Sequence, residues 1–268
     1  MEHIFTIENL NYSISSEIFF DNFNLSIEKG SFTSIIAPNK SGKSMLTKII
    51  CAIYPTYDKC FLDGIALNKE NVLLYITKIG IVSNDFRNPF LYKKVRDELE
   101  YPLLNLGYSE YKISKVIEKI AYDFSITDIL DDNIDSLSES TRSKLQIIIS
   151  LVHGPKLLVL DDIFNNMTLN DQVFILEKLK ELNKKGLTIL NITSKLDTIY
   201  DSDKVYLMNK FKIENSYSVS KIFNEDTLLT KLGFEIPFIV NLSLKLKDYG
   251  LIDKVYYHLI ELEEKLWK

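Results

Sequence analysis

Residues Ala37-Pro38-Asn39-Lys40-Ser41-Gly42-Lys43-Ser44 constrain this chain more than any other stretch, because of what flanks them. Before them runs the short β-rich segment Phe32 to Ile36. After them a helical pattern from Lys43 places Met45, Leu46, Ile49, Ile50 and Ile53 on one face. In a strand–loop–helix unit, backbone N–H groups converge at the positive end of the helix, where an anion is favoured. The eight residues fit the phosphate-loop template at every position but the first, where Ala37 replaces glycine. In that geometry the loop backbone cradles phosphates, Lys43 reaches the β- and γ-phosphates as a point charge, and the Ser44 hydroxyl ligates Mg²⁺. A non-glycine residue held at positive φ at Ala37 or Lys40 adds strain of about 1 kcal/mol. Lys40 is either an added positive charge near the phosphates or a solvated lysine.

A phosphate loop needs a carboxylate opposite it. Leu157-Leu158-Val159-Leu160-Asp161-Asp162 is an apolar run ending in two, entered through the turn His153-Gly154-Pro155. Open α/β sheets bind ligands at the C-terminal ends of their strands. We expect this strand to lie beside the phosphate strand, with Asp161 holding Mg²⁺ through water and Asp162 next to an attacking water.

Other short apolar runs, Ile79 to Val82 and Leu187 to Ile192, read as parallel strands covered on both faces. Residues Ile4 to Ile27 alternate apolar and polar types and read as antiparallel strands. From Asp85 to Gly154 only helical periodicity appears, at Val95 to Leu104, Ser109 to Phe124 and Thr141 to His153. After Lys212 the pattern reads as helical again. The expected organisation is an α/β core of residues 1–84 and 155–212, a helical subdomain of 85–154 and a helical extension of 213–268.

With 268 residues, 46% apolar and 26% charged, the chain can bury a core without staples. Its net charge of −5 lacks the footprint of a nucleic-acid binder. Cys51 and Cys60 carry no metal-ligand spacing and are expected to be reduced thiols. The N-terminus lacks an apolar signal core, and no apolar run approaches the ~20 residues that span a bilayer. Membrane contact is therefore expected only through a partner.

Three further segments resemble a family. Leu137-Ser138-Glu139-Ser140-Thr141 opens a helix at the place of the LSGGQ signature of ABC transporter ATP-binding subunits. Asn84 stands where that family has its Q-loop glutamine, and Ser194, after Ile192-Thr193, where it has its switch histidine. More narrowly, Val95 to Pro102 with Leu106-Gly107, Lys221-Ile222-Phe223 and Leu228 to Leu246 are similar to the ATPase subunits of energy-coupling-factor (ECF) importers.

The resemblance implies a P-loop NTPase fold with a RecA-like, mainly parallel sheet, binding ATP and Mg²⁺. It implies Asp162, Asn84 and Ser194 as catalytic, with Ser44, Asp161 and Asn84 toward the metal and Ser138 contacting nucleotide in trans. Tyr12 is the nearest candidate for stacking adenine, although alignment puts Ile14 there. The implied partners are a sister ATPase, a transmembrane coupling protein and a membrane substrate binder, at the cytoplasmic face of the membrane.

 The degenerate motifs favour a heterodimer, in which the sister subunit keeps the stronger residues.

Five departures from the family pattern bear on the chemistry. Glu139 and Ser140 replace the signature glycines, and a carboxylate facing a phosphate in a dry interface can cost several kcal/mol; alternatively, Glu139 turns outward. Asp162 replaces a glutamate and Asn84 a glutamine, each retracting a polar group by one methylene. Ser194 replaces a histidine, and Thr168 falls where the family has the D-loop aspartate. Each lost phosphoryl contact is worth ~10²–10³ in rate. The expectation is a subunit that binds ATP and turns it over slowly, or a weak scaffold beside a more active sister. A soluble ABC protein acting on nucleic acid fits less well, since those generally carry two cassettes and basic linkers.

Overall fold

The computed structural model describes residues 2–54, 56–84, 90–224 and 226–267. Strands β1 (His3–Ile14) and β2 (Glu17–Glu28) pair antiparallel, as their alternation predicts. Phosphate strand β3 (Phe32–Ile36) is buried throughout and feeds helix α1 (Lys43–Ile50). Two short strands, β4 (Cys60–Leu62) and β5 (Ile65–Ala66), and helix α2 (Val72–Ile76) lead to β6 (Ile79–Ser83). Helices α3 (Val95–Asn105), α4 (Glu110–Asp123) and α5 (Glu139–Leu151) follow, with no strand among the described residues between β6 and β7 (Leu157–Asp161). Then come α6 (Leu169–Lys184), β8 (Thr188–Thr193), β9 (Lys204–Asn209) and β10 (Lys212–Tyr217). The chain ends in α7 (Val219–Phe223), α8 (Asp226–Lys231), α9 (Phe238–Asp248) and α10 (Leu259–Leu266).

Two sheets form, one in the order β2-β1-β4-β5 and the other in the order β10-β9-β3-β8-β7-β6. In the second, β3, β8, β7 and β6 are parallel, and β9 joins β3 in parallel while β10 turns back. Strand β7 shows why its sequence is continuously apolar. Leu157 and Val159 join the cluster beneath the first sheet and α1, while Leu158 and Leu160 join the cluster under α3 to α6. A strand covered on both faces has no side to leave polar.

Two expectations need correction. Strand β7 does not lie beside the phosphate strand: β8 is hydrogen-bonded to both and separates them. The run after Lys212 is not helical at once, because β10 pairs with β9 before α7 begins. The two residues between those strands, Lys210 and Phe211, have φ of 44° and 63°. Such a tight hairpin turn favours Asn-Gly or Asp-Gly, so Lys-Phe gave no sequence signal. Cys51 and Cys60 are both free, and burial raises both thiol pKa values, that of Cys60 to about 11.

Candidate functional site

The phosphate loop leaves β3 at Ala37, whose N–H donates to the Thr193 carbonyl at 3.1 Å, and closes on Gly42 at the start of α1. Gly42 adopts φ 105°, and a Cβ there would lie 2.3 Å from the Phe211 ring. Only glycine satisfies both conditions. Phe211 N–H donates to the Ser41 carbonyl at 2.8 Å, so the β9–β10 turn braces the loop from behind. Phe19 and Phe20 meet Phe211 edge to face at 5.2 and 5.7 Å. Of the two non-glycine positions in question, only Lys40 is left-handed, at φ 64°, and it is exposed. Ala37 is absent from the left-handed residues, so it brings no such strain. The Ser41 hydroxyl is buried without a hydrogen-bond partner, while Asn39 is exposed and Pro38 half-buried.

Lys43 lies against the acidic end of β7. Its Nζ donates to the Ala37 carbonyl at 3.1 Å and pairs with Asp162 Oδ2 at 2.9 Å. The other carboxylate oxygen of Asp162 accepts from Ser194 N–H at 2.9 Å and Ser194 Oγ at 3.2 Å. Because β8 separates β3 from β7, Ser194 stands between the loop and the carboxylates. Asp161 is buried and accepts from Ser83 Oγ at 2.9 Å. Asn84 donates its amide to the Asp162 carbonyl, and its Oδ1 accepts from Asn166 at 3.5 Å. The structure therefore gathers Lys43, Asp161, Asp162, Asn84 and Ser194 at one edge of the sheet, next to Ser44 in the first turn of α1.

These residues suit a nucleotide with its metal. The loop presents a helix N-terminus and a lysine to an anion. Among the described residues there is no cluster of three or more His, Cys, Asp or Glu side chains suited to a metal ion. Ser44 and Asp161 supply a hydroxyl and a carboxylate, the oxygen donors that suit Mg²⁺ when phosphate oxygens complete its shell.

Two candidates lie elsewhere. Tyr12 stacks on Tyr54 at 6.0 Å, and the Tyr54 N–H donates to the Lys48 carbonyl near the far end of α1. Its ring is thus placed by Tyr54, whereas the aromatic against the phosphate loop is Phe211. Ser138 caps α5, accepting from Thr141 N–H at 3.1 Å. The signature substitutions point in opposite directions. Glu139 is exposed, whereas Ser140 is buried, donates to the Asp171 carboxylate and accepts from Thr168 N–H at 3.0 Å. Thr168 caps α6, its Oγ accepting from Asp171 N–H at 3.2 Å. Burial opposes ionisation of Asp171, but hydrogen bonds from Ser140 and Thr168 and the charge of Lys144 outweigh it and lower its pKa.

A fold with a phosphate loop, an acidic strand end and a capped helix beyond it defines a nucleotide-binding cassette. Residues 20–165 match the family model described as ABC transporter, more than half of the chain, and the chain belongs to that family. It is 29% identical to the energy-coupling factor transporter ATP-binding protein EcfA of Pediococcus pentosaceus, over 100% of this chain and 97% of that protein. It is 26% identical to EcfA1 of Mycoplasma pneumoniae, covering 98% and 96%. Among solved structures it is similar to cbiO1 from Clostridium perfringens, with a TM-score of 0.76 and 24% identity over 90% of this chain and 99% of that one. Among the described residues no helix is long and apolar enough to cross a membrane.

Proposed function

We propose that this chain is the ATP-binding subunit of an ECF-type importer, coupling ATP binding and slow hydrolysis to uptake through partner membrane proteins. The observation that carries the reading is the meeting of Lys43 with the acidic end of β7, 2.9 Å from Asp162. Bound MgATP would supply the phosphoryl group and part of the charge neutralisation. Lys43 binds the β- and γ-phosphates, and the loop from Ala37 to Ser44 cradles them. Ser44 and Asp161 hold the metal, with Asn84 alongside. Asp162 takes the proton from the attacking water, Ser194 borders the γ-phosphate, and Ser138 offers its helix end to the nucleotide of a sister subunit. The sister subunit, a coupling protein and a membrane substrate binder complete the assembly at the cytoplasmic face, with residues 85–154 as the signature-bearing subdomain.

A second reading, a weakly hydrolysing scaffold beside a more active sister, is favoured by the engagement of Asp162 with both Lys43 and Ser194. ATP titration of the purified chain tests the shared premise: wild type binds, and Lys43→Ala loses at least tenfold in affinity, about the worth of one charge-assisted contact. Unchanged binding in Lys43→Ala would overturn both readings. ATPase assays with the sister subunit then separate them, since robust turnover abolished by Asp162→Asn excludes the scaffold.

A further inference from the structure

We propose that Ser194 is a positioning residue that holds the Asp162 carboxylate on Lys43, making Asp162 the occupant that a nucleotide phosphate must displace. The inference rests on the nucleotide-binding reading above. Both Asp162 carboxylate oxygens are committed, Oδ2 to Lys43 Nζ at 2.9 Å and Oδ1 to the N–H and hydroxyl of Ser194 at 2.9 and 3.2 Å. Its backbone is fixed as well. Asp162 has φ 50°, its N–H donates to the Ile192 carbonyl at 2.9 Å, and its carbonyl accepts the Asn84 amide. The Lys43 side chain is 8% exposed, so its ammonium has little water to fall back on when Asp162 leaves.

The two substitutions make sense together. A hydroxyl one carbon from the backbone of β8 reaches a carboxylate one carbon from the backbone after β7, because those strands are neighbours. Before a phosphate enters, Ser194 acts on the cleft through Asp162, whose Oδ1 takes both its N–H and its hydroxyl. Entry of a phosphate breaks one ion pair to make another, which lowers apparent affinity by the fraction of cleft already closed.

The test is ADP affinity of the full chain in EDTA, so that neither metal nor hydrolysis enters. Asp162→Asn should bind ADP about tenfold more tightly, by releasing the lysine from a charged competitor. Ser194→Ala should tighten binding by a smaller factor, and Ser194→Thr, which keeps the hydroxyl, should match wild type. Ser194→Ala should add nothing to Asp162→Asn. A merely structural role for Ser194 predicts weaker binding instead. Equal or weaker binding in both single variants, or a Ser194→Ala effect that persists beside Asp162→Asn, overturns the proposal. If wild type binds no nucleotide, the function reading fails, and the proposal is read from competitive acetylation of Lys43 in the nucleotide-free chain. Labelling should rise in Asp162→Asn and Ser194→Ala but not in Ser194→Thr; equal labelling in all four proteins overturns it.

Discussion

Gly42 carries two separate demands, and they can be measured apart. Its φ of 105° is costly for any residue with a Cβ, and the Phe211 ring occupies the space that Cβ would need. Gly42→Ala should therefore cost ~1–3 kcal/mol in backbone strain and ~1–3 kcal/mol in overpacking. In a double-mutant cycle read by urea unfolding, Phe211→Ala should recover the second part and leave the first. An additive cycle would mean that the ring does not press on the loop. His153 offers a test of a different kind. Burial lowers its pKa, while its hydrogen bond with the Ile79 carbonyl at 3.2 Å partly opposes the shift. The unfolded chain then binds the proton more readily than the native one. The neutral ring's contribution is fully present above the unfolded value near 6.5 and is lost as pH falls toward the native pKa. The urea midpoint should drop on acidification, and His153→Gln should flatten that slope.

At the scale of elements, α5 and α6 are joined at their N-termini by Ser140, whose hydroxyl bridges the Asp171 carboxylate and the Thr168 N–H. Ser140→Ala removes the acceptor of the part-buried Thr168 N–H and the donor to Asp171, and should cost ~1 kcal/mol. Thr168→Ala, which removes an N-cap, should cost ~1 kcal/mol. Because the two residues share Asp171, thermal melts of the double variant should show less than the sum. This junction shows where sequence reading stops. The phosphate loop and the acidic strand end were legible, since each is a contiguous motif whose chemistry is local. The direction of Ser140 was not, because it depends on α6 arriving from 28 residues downstream. The insertion of β8 between β3 and β7 was hidden for the same reason: apolar runs announce parallel strands but not their order. Strand β10 reads as polar because it is an edge strand hydrogen-bonded on one side only, to β9, and no alternation marks an edge so exposed.

The whole molecule ties its last helices to β3, the strand that leads into Ala37. Ile36, the residue before Ala37, is buried in a cluster with Val205 and Leu207 of β9, Ile222 and Phe223 of α7, and Leu229, Phe234 and Val240 beyond. The face that the C-terminal helices cover is thus the flank of the phosphate strand itself. Truncation after Tyr217 would uncover Ile36, Val205 and Leu207 together, each such side chain being worth ~1.5–3 kcal/mol when fully buried. Against a typical domain stability of ~5–15 kcal/mol, that loss is large enough to unfold the core or leave it aggregating. Truncation after His258 removes only α10, of which Leu262 alone is buried, and Leu262 belongs to a separate small cluster with Ile252 and Tyr256. The shorter deletion should lower the melting temperature modestly and leave ATP affinity within about twofold of wild type. The longer one should abolish binding along with the cooperative transition. If a chain ending at Tyr217 melts cooperatively and binds ATP, the helices are an appendage, and the packing around Ile36 does not hold the phosphate strand.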